Sequence, residues 1–340
     1  MKKFIIKSLL FILPLSIFFI EGFLPLDTFT YRPWETLLYK TKSSTAFPFY
    51  PHKNIDMVSV GDLCHHTNHA IQKRENWITD KLGYRNNTFI YNPDVVIIGD
   101  SFVAGSSLEQ DSTLTNLLKS NLDIKIYNIA PAEFNDFISL LKNKVIKKPK
   151  LVIFSIVERE IPAPIINEQS IYDEKYSNEL LILKDKFLRF YLVKYLKARI
   201  LEASGNGIQG APDTTMFFLE GARQKYLYDQ TDEVVKNIAS YKKYCDSIGA
   251  KFIFFPMPNK ETVYFENVPF ATQPDYLFKL CSLLELNGIY SINTLSVLND
   301  FRNVNKKDLL YHLDDTHWNA NGVNLLANEL TKHIKLSLRK

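Results

Sequence analysis

The sequence predicts an α/β protein with a mostly parallel sheet between helices, a three-layer α/β/α sandwich. Its 340 residues suit one large or two ordinary domains, and 46% hydrophobic with 23% charged residues is a normal globular balance. From residue 94 onward, short apolar runs alternate with amphipathic stretches of helical period. Strands that alternate with helices pair in parallel and bury both faces of the sheet.

The elements follow one another along the chain with one pause. The predicted strands are DVVIIGD, IKIYNIA, KLVIFSIVE, KFIFFPM and IYSIN. The predicted helices are STLTNLLKSN, FNDFISLLKNKVIKK, DEVVKNIASYKKYCDSIG, QPDYLFKLCSLLELNG and a last helix from about residue 320 to 336. The pause at 160–235 predicts an insertion, which is either a lid over the sheet edge or additional helical packing. No internal repeat is visible.

The N-terminal region predicts export. Three lysines within residues 2–7 precede an apolar stretch from Ser8 to Ile20, which resumes at Phe23. No A-x-A cleavage site follows, so residues 1–26 predict an uncleaved anchor helix with a cytoplasmic N-terminus, although Pro14 and Glu21 weaken a membrane span. A cleaved secretion signal is the alternative. Either places the domain at 91–340 outside the cytoplasm, in the periplasm or at the cell surface, preceded by an extension at 27–90 that packs on it.

Charge and cysteine usage exclude some functions. The net charge of +4 is modest and dispersed, which argues against nucleic-acid binding. The three cysteines lack the spacing of a zinc site and leave at least one thiol unpaired; Cys245 and Cys281 are predicted to be buried on helices. In CHHTNHA, His65 and His69 would share one helical face, but two ligands are few for a metal. The sequence therefore predicts no metal and no cofactor.

Two distant motifs carry the chemistry. Ser101 follows the strand VVII, at the sheet edge where parallel α/β proteins bind ligands. A serine needs a base and a group that orients the base. His317 can be the base, with Asp314 three residues and Asp315 two residues before it. Taken alone, Ser101 is equally a polar turn residue, and His317 an incidental residue at a helix start.

Together, Gly-Asp-Ser after the first strand and Asp-x-x-His before the last helix resemble the SGNH/GDSL hydrolase superfamily over about residues 91–338. The resemblance implies a flavodoxin-like sandwich and a catalytic triad, with Ser101 as nucleophile and His317 as base. The D-x-x-H pattern implies Asp314 as the third member. The D-x-H spacing of Asp315 is similar to that of alginate O-acetyltransferases of the AlgX and AlgJ kind, so both aspartates remain candidates.

The chain departs from the superfamily at the oxyanion hole. After the second strand, Ala132 stands near the position where the superfamily has a glycine. The third strand is followed by no Gly-x-Asn-Asp. The Ser101 N–H remains available, and Gly105, Asn128 and Arg159 are candidates by position. For Arg159, an ordinary ion pair with Glu158 is the favoured alternative.

Further segments resemble AlgX/AlgJ-type proteins. An "ER" ends the third strand, and PMPNKETVY contains Lys260 and Tyr264 at positions that imply a substrate-binding or structural role. The resemblance implies an anchored serine enzyme that acts on O-acetyl esters of a surface polysaccharide, as transferase or esterase, with a membrane-bound protein as acyl donor. The alternative is a non-catalytic carbohydrate-binding or scaffold protein of polysaccharide assembly that retains the fold.

Overall fold

The protein is described by a computed structural model that covers residues 2–24, 28, 30–38, 48–161, 190–200, 205, 207–210, 215–219, 230–268 and 272–339. Its strands are β1 (Asn54–Ser59), β2 (Lys73–Ile78), β3 (Val95–Ile98), β4 (Ile126–Asn128), β5 (Leu151–Phe154), β6 (Gly207–Gln209), β7 (Phe217–Leu219) and β8 (Lys251–Phe254). Its helices are α1 (Lys2–Phe23), α2 (Ser101–Ala104), α3 (Leu114–Asn121), α4 (Phe134–Lys142), α5 (Tyr191–Ile200), α6 (Thr231–Ser247), α7 (Lys260–Val263), α8 (Tyr276–Leu286), α9 (Thr294–Val304) and α10 (Ala320–Arg339). Short 3₁₀ helices span Pro33–Leu37, Gln110–Ser112, Glu158–Glu160 and Phe265–Asn267.

The central sheet confirms the predicted α/β class. Its four strands are parallel and lie in the order β4-β3-β5-β8. Every residue of β3, β4 and β5 is buried, as expected of strands covered on both faces. The predicted strand IYSIN is reduced to one parallel bridge between Phe254 and Ser291. In sequence order the strands run 2-1-3-4, which is the flavodoxin-like arrangement.

Helices cover the sheet with aromatic and aliphatic contacts. On α4, Phe134 stacks on Tyr241 of α6 at 4.2 Å between ring centroids, and both rings contact Phe154 of β5. Helix α3 packs against α10. Cys245 and Cys281 are buried on α6 and α8, as predicted, and all three cysteines are free thiols.

Residues 48–90 precede the central sheet and contribute no strand to it. Strands β1 and β2 pair antiparallel, and Trp77 of β2 stacks on Trp34 with 5.5 Å between ring centroids. The ring of Trp77 also lies 3.9 Å from the guanidinium of Arg85, which is buried. These contacts join the extension to the loop that follows Ser101, through Arg85.

Arg85 organises that loop with its planar set of donors. Its N–H groups donate to the carbonyls of Asn76, Ala104, Gly105 and Leu108 and to the side chain of Gln110. A buried carbonyl without a donor costs about 1–3 kcal/mol. One side chain therefore satisfies several acceptors that would otherwise be uncompensated.

The predicted N-terminal membrane anchor is wrong. Within the described part of the chain, none of the helices combines the length and the apolar character that a membrane crossing requires. Helix α1 contains Lys7, Pro14 and Glu21, and the uncharged stretch between Lys7 and Glu21 is shorter than the ~20 apolar residues of a typical span. The predicted insertion at 160–235, with its two alternatives of a lid and of additional helical packing, lies for the most part outside the described residues.

We expect Arg85→Met to lower the free energy of unfolding by at least about 3 kcal/mol, because several buried carbonyls lose their donor together. Urea denaturation followed by circular dichroism measures this change. The control is Arg74→Met at an exposed position of β2, expected to change stability by less than about 0.5 kcal/mol. Equal stability of the Arg85→Met variant and the wild type would contradict the structural role of Arg85.

Candidate active site

Ser101 stands at the carboxyl end of β3, as the first residue of α2. Asp100 caps this short helix: its Oδ1 accepts the Phe102 N–H at 2.8 Å, and its Oδ2 accepts the Val157 N–H at 2.7 Å. Burial raises the pKa of Asp100, and these two N–H groups oppose that shift. The Asp of Gly-Asp-Ser thus ties the serine turn to the end of β5, while Ser101 Oγ points to a histidine from the far end of the chain.

The structure brings Ser101, His317 and Asp315 together. Ser101 Oγ lies 2.8 Å from His317 Nε2, and His317 Nδ1 lies 2.5 Å from Asp315 Oδ1. Because the carboxylate can only accept, Nδ1 carries the proton and Nε2 is free to take the serine hydrogen. The Phe102 ring packs beside the imidazole, with 4.7 Å between centroids. This is the geometry of nucleophile, base and orienting acid.

Asp315 is a fully buried carboxylate. Burial alone raises its pKa, but the charge and hydrogen bond of His317 outweigh burial and, with Arg32 and Lys73, hold the pKa of Asp315 well below its usual range. Its Oδ2 also accepts the Ser107 hydroxyl at 2.8 Å. Ser107 adopts φ +64°, which is uncommon outside glycine. No sequence pattern points to Ser107, because its partner Asp315 lies at the opposite end of the domain.

Asp314, the other candidate, is directed away from the imidazole and toward the extension. Its carboxylate accepts the N–H groups of Gly61 and Ile71, both at 2.9 Å, and pairs with Lys73 Nζ at 2.6 Å. Asp314, at the D-x-x-H spacing, therefore holds the loop against the extension. Asp315, at the D-x-H spacing, is the carboxylate that contacts His317.

Lys260 and Tyr264 hold the same loop from the other side. The buried Lys260 Nζ donates to the carbonyls of His312, Leu313 and Asp315 at 2.5, 3.0 and 3.0 Å. Burial lowers the pKa of Lys260 to about 8. The Tyr264 hydroxyl accepts the Leu310 N–H at 2.9 Å. The P-x-P-x-K-x-x-x-Y element thus contacts the backbone that carries Asp315 and His317.

Two of the three oxyanion candidates are engaged elsewhere. The Gly105 N–H donates to the Ser101 carbonyl. The Asn128 amide donates weakly to two carbonyls, and its Oδ1 accepts the Ala130 N–H at 2.7 Å. The Ala132 N–H donates to the Gly99 carbonyl. The Ser101 N–H, at the first position of α2, has no hydrogen-bond acceptor among the described residues.

Arg159, the third candidate, is partly exposed near the nucleophile. Its guanidinium carbon lies 5.7 Å from the centre of the Phe102 ring, and its Nη1 is 3.4 Å from Asn259 Oδ1. No ion pair with Glu158 occurs in the described residues. Glu158 is buried, and its Oε2 instead accepts the Asn259 N–H at 2.9 Å and the Thr262 hydroxyl at 2.6 Å. Burial raises the pKa of Glu158 to about 7.

The histidines of CHHTNHA pack against aromatic rings. His65 stacks on Tyr31 with 3.7 Å between centroids, and His69 lies 5.2 Å from Phe217. Burial lowers the pKa of His65 to about 4, which favours a neutral ring. These ring contacts account for the positions of the His65 and His69 side chains.

A different trio has metal-ligand chemistry. Asp62, Asp315 and His317 offer ligand atoms within 4.8 Å of one another. Their oxygen and nitrogen atoms are, however, aimed at hydrogen-bond partners: Asp62 accepts the N–H and hydroxyl of Thr316, both at 2.8 Å. The trio is therefore a hydrogen-bonded network. Asp62 and Thr316 are site residues that the sequence patterns did not identify.

Comparisons with known proteins give low similarity. No family model matches the chain, and no curated protein matches it. Similar solved structures are lipolytic and acyl-ester hydrolases. They include a G-D-S-L family lipolytic protein from Veillonella parvula (9% identity, 70% of this chain and 96% of that chain, TM-score 0.37) and a GDSL-like lipase from Bacteroides thetaiotaomicron (13%, 73% and 89%, 0.34). A catalytic mutant of Axe2, an acetylxylan esterase from Geobacillus stearothermophilus, also matches (16%, 71% and 94%, 0.34). Because these TM-scores are low, the interpretation of the site rests on its own geometry.

We expect Asp315→Asn to lower kcat for a small acetate ester by about 10³- to 10⁴-fold, because the amide no longer selects the Nδ1–H form of His317. Asp314→Asn is the matched control. It leaves Lys73 unpaired and should cost about 3 kcal/mol of stability, with a loss of kcat below about tenfold. Steady-state kinetics and urea denaturation of both variants separate the roles. Equal losses of kcat would contradict this assignment.

We expect the stability of the wild type to fall as pH rises from about 4.5 to 7, in part because of Glu158. Its pKa is raised in the folded state, so the unfolded chain releases this proton first, and the contribution disappears above pH 7. Glu158→Gln removes this dependence, on the order of 3 kcal/mol between pH 5 and 8. Denaturant titrations at both pH values measure it, with the exposed Glu160→Gln as control. An unchanged pH dependence in Glu158→Gln would contradict the raised pKa.

Proposed function

We propose that this protein is a serine enzyme of the SGNH/GDSL kind that acts on acyl esters, with O-acetyl groups of a polysaccharide as its substrate class. One observation carries the proposal. A continuous line of contacts runs from Ser101 Oγ through both nitrogens of His317 to the buried carboxylate of Asp315. A serine with an oriented base is the requirement for nucleophilic acyl chemistry.

The reaction follows from these contacts. As Ser101 Oγ bonds to the ester carbonyl carbon, His317 Nε2 takes its proton, and Asp315 stabilises the resulting imidazolium. When the tetrahedral intermediate collapses, the carbon–oxygen bond to the alcohol breaks and His317 returns the proton to that alcohol. An acyl-Ser101 ester remains. Water or a sugar hydroxyl then attacks it by the same proton transfers, which makes the enzyme an esterase or an O-acyltransferase.

The negative charge that develops on the carbonyl oxygen needs donors. The Ser101 N–H is the backbone donor that we assign to this role, and the Arg159 guanidinium, which lies over the ring of the adjacent Phe102, is the cation that we assign to it. Arg159 therefore replaces, in this proposal, the asparagine that the sequence lacks.

Two features favour the AlgX/AlgJ-like type, and with it acyl transfer. Asp315 contacts His317 across the D-x-H spacing, and Lys260 and Tyr264 hold the loop that contains that motif. In this form of the proposal a separate protein supplies the acyl group, and a hydroxyl of the polysaccharide accepts it.

A non-catalytic carbohydrate-binding or scaffold protein is the second candidate. The observation in its favour is the engaged state of Gly105 and Ala132, whose N–H groups donate to protein carbonyls. Loss of one oxyanion donor costs about 10²- to 10³-fold in kcat. A chain that lacks several would retain the fold with little turnover.

We expect the wild type to release acetate from small acetate esters and to become covalently labelled by a fluorophosphonate at Ser101. Ser101→Ala and His317→Ala should lose both, because one removes the nucleophile and the other its base. Mass spectrometry of the labelled peptide and acetate assays measure these outcomes. A folded wild type that shows neither would favour the scaffold function.

We expect the transferase form to move acetyl from a donor ester to an added acetyl-free oligosaccharide in preference to water. The measurement is the ratio of acetylated oligosaccharide to free acetate, with Ser101→Ala as the background. Release of acetate unaffected by the acceptor would contradict transfer and leave the esterase.

A further inference from the structure

The extension before the sheet contributes directly to the geometry of His317. We propose that Asp62, acting through the hydroxyl of Thr316, is a positioning residue that keeps His317 in the form with its proton on Nδ1. This inference rests on the proposed function, and it assigns a role to a carboxylate outside the triad. Asp62 lies in the loop after β1, more than two hundred residues before His317 in the sequence.

Both carboxylate oxygens of Asp62 accept hydrogen bonds from Thr316. Oδ1 accepts the Thr316 N–H at 2.8 Å, and Oδ2 accepts the Thr316 hydroxyl at 2.8 Å. Thr316 is buried and lies between the two residues that form the end of the triad, Asp315 and His317. The position of its hydroxyl hydrogen is thereby fixed, since a hydroxyl has one hydrogen and that hydrogen goes to Asp62.

The same hydroxyl oxygen faces the imidazole. Thr316 Oγ1 is 3.3 Å from His317 Nδ1. Because its hydrogen is committed to Asp62, the oxygen can only accept from an N–H at Nδ1. If it donated to Nδ1 instead, the imidazole proton would lie on Nε2, and Nε2 could no longer accept from Ser101. Asp62 therefore supports the same form of His317 that Asp315 selects.

A second contact links Asp62 to the triad carboxylate. The Asp62 N–H donates to Asp315 Oδ2 at 3.3 Å. The loop approaches this closely because residue 61 is glycine: a Cβ there would lie 1.9 Å from the Asp314 carbonyl oxygen. Asp62 thus contacts Asp315 through its backbone and the neighbouring Thr316 through its side chain.

A half-buried arginine lies beside Asp62. Arg32 Nη2 lies 3.4 Å from Asp62 Oδ2, and Arg32 Nη1 lies 2.7 Å from Glu35 Oε1. Burial alone lowers the pKa of Arg32, but the charges of Asp62, Asp315 and Glu35 raise it above its ordinary value. Arg32 thus places a positive charge next to the Asp62 oxygen that accepts the Thr316 hydroxyl.

The test is Asp62→Asn in the full-length chain. If the amide oxygen keeps the Thr316 N–H, the amide nitrogen donates to Thr316 Oγ1 and turns the hydroxyl hydrogen toward Nδ1. We expect kcat to fall by about 10- to 100-fold with little change in KM, as for other supporting residues of an active site. The control is Asp56→Asn, an exposed aspartate of β1, which should retain wild-type kcat.

A double-mutant cycle tests whether Asp62 acts through Thr316. Thr316→Val removes the hydroxyl. Thr316→Ser keeps the hydroxyl and should retain most of the wild-type kcat. Because Asp62 acts through the hydroxyl, adding Asp62→Asn to Thr316→Val should change kcat little relative to Thr316→Val alone, whereas independent roles would give multiplied losses. Wild-type kcat in a folded Asp62→Asn variant, or multiplied losses in the double variant, would overturn the inference.

The ¹⁵N shifts of the His317 ring supply a readout that needs no turnover. We expect wild type to carry the proton on Nδ1 and Asp62→Asn to show an increased Nε2–H form. If no variant hydrolyses esters but this shift in proton position occurs, the proposed function fails and the inference stands. If esters are hydrolysed in a Ser101-dependent reaction and the proton position is unchanged, the inference alone fails.

Discussion

The burial of the Asp315 carboxylate is the constraint on which the site depends. A buried charge is tolerated only when partners compensate for the lost water. Asp315 receives two hydrogen bonds from His317, one from the Ser107 hydroxyl and one from the Asp62 N–H. The three donor residues come from different parts of the chain, so the carboxylate can be accommodated only when the loops after β1, α2 and α9 have assembled.

The loop that carries Asp315 is consequently held from two directions. On one side, Lys260 donates to three of its carbonyls. On the other, the extension binds Asp314 through Gly61, Ile71 and Lys73. A base that must meet a serine within hydrogen-bond distance gains from such restraint, because small displacements of reacting groups reduce rate strongly. The extension is therefore part of the site and is more than a cover for the core.

Local patterns in the sequence predict those features that depend on residues close together in the chain. The alternation of apolar strands and amphipathic helices predicts the parallel sheet. The Gly-Asp-Ser and D-x-H motifs identify Ser101 and His317, which the structure brings within hydrogen-bond distance. Choosing between Asp314 and Asp315 required the fold, since both spacings reach the imidazole and the two carboxylates differ in their distant partners: Asp314 accepts from the extension at Gly61, Ile71 and Lys73. Asp62 and Ser107 were missed because their partners lie more than two hundred residues away. The anchor prediction was wrong because Lys7 and Glu21 bound an apolar stretch that is shorter than a typical membrane span.

The most direct test of the account is a crystal structure of the wild-type protein after reaction with a fluorophosphonate. We predict a bond between phosphorus and Ser101 Oγ, a phosphoryl oxygen within hydrogen-bond distance of the Ser101 N–H, and His317 still paired with Asp315. An unmodified Ser101, or an adduct on another residue, would contradict the assignment of Ser101 as the nucleophile.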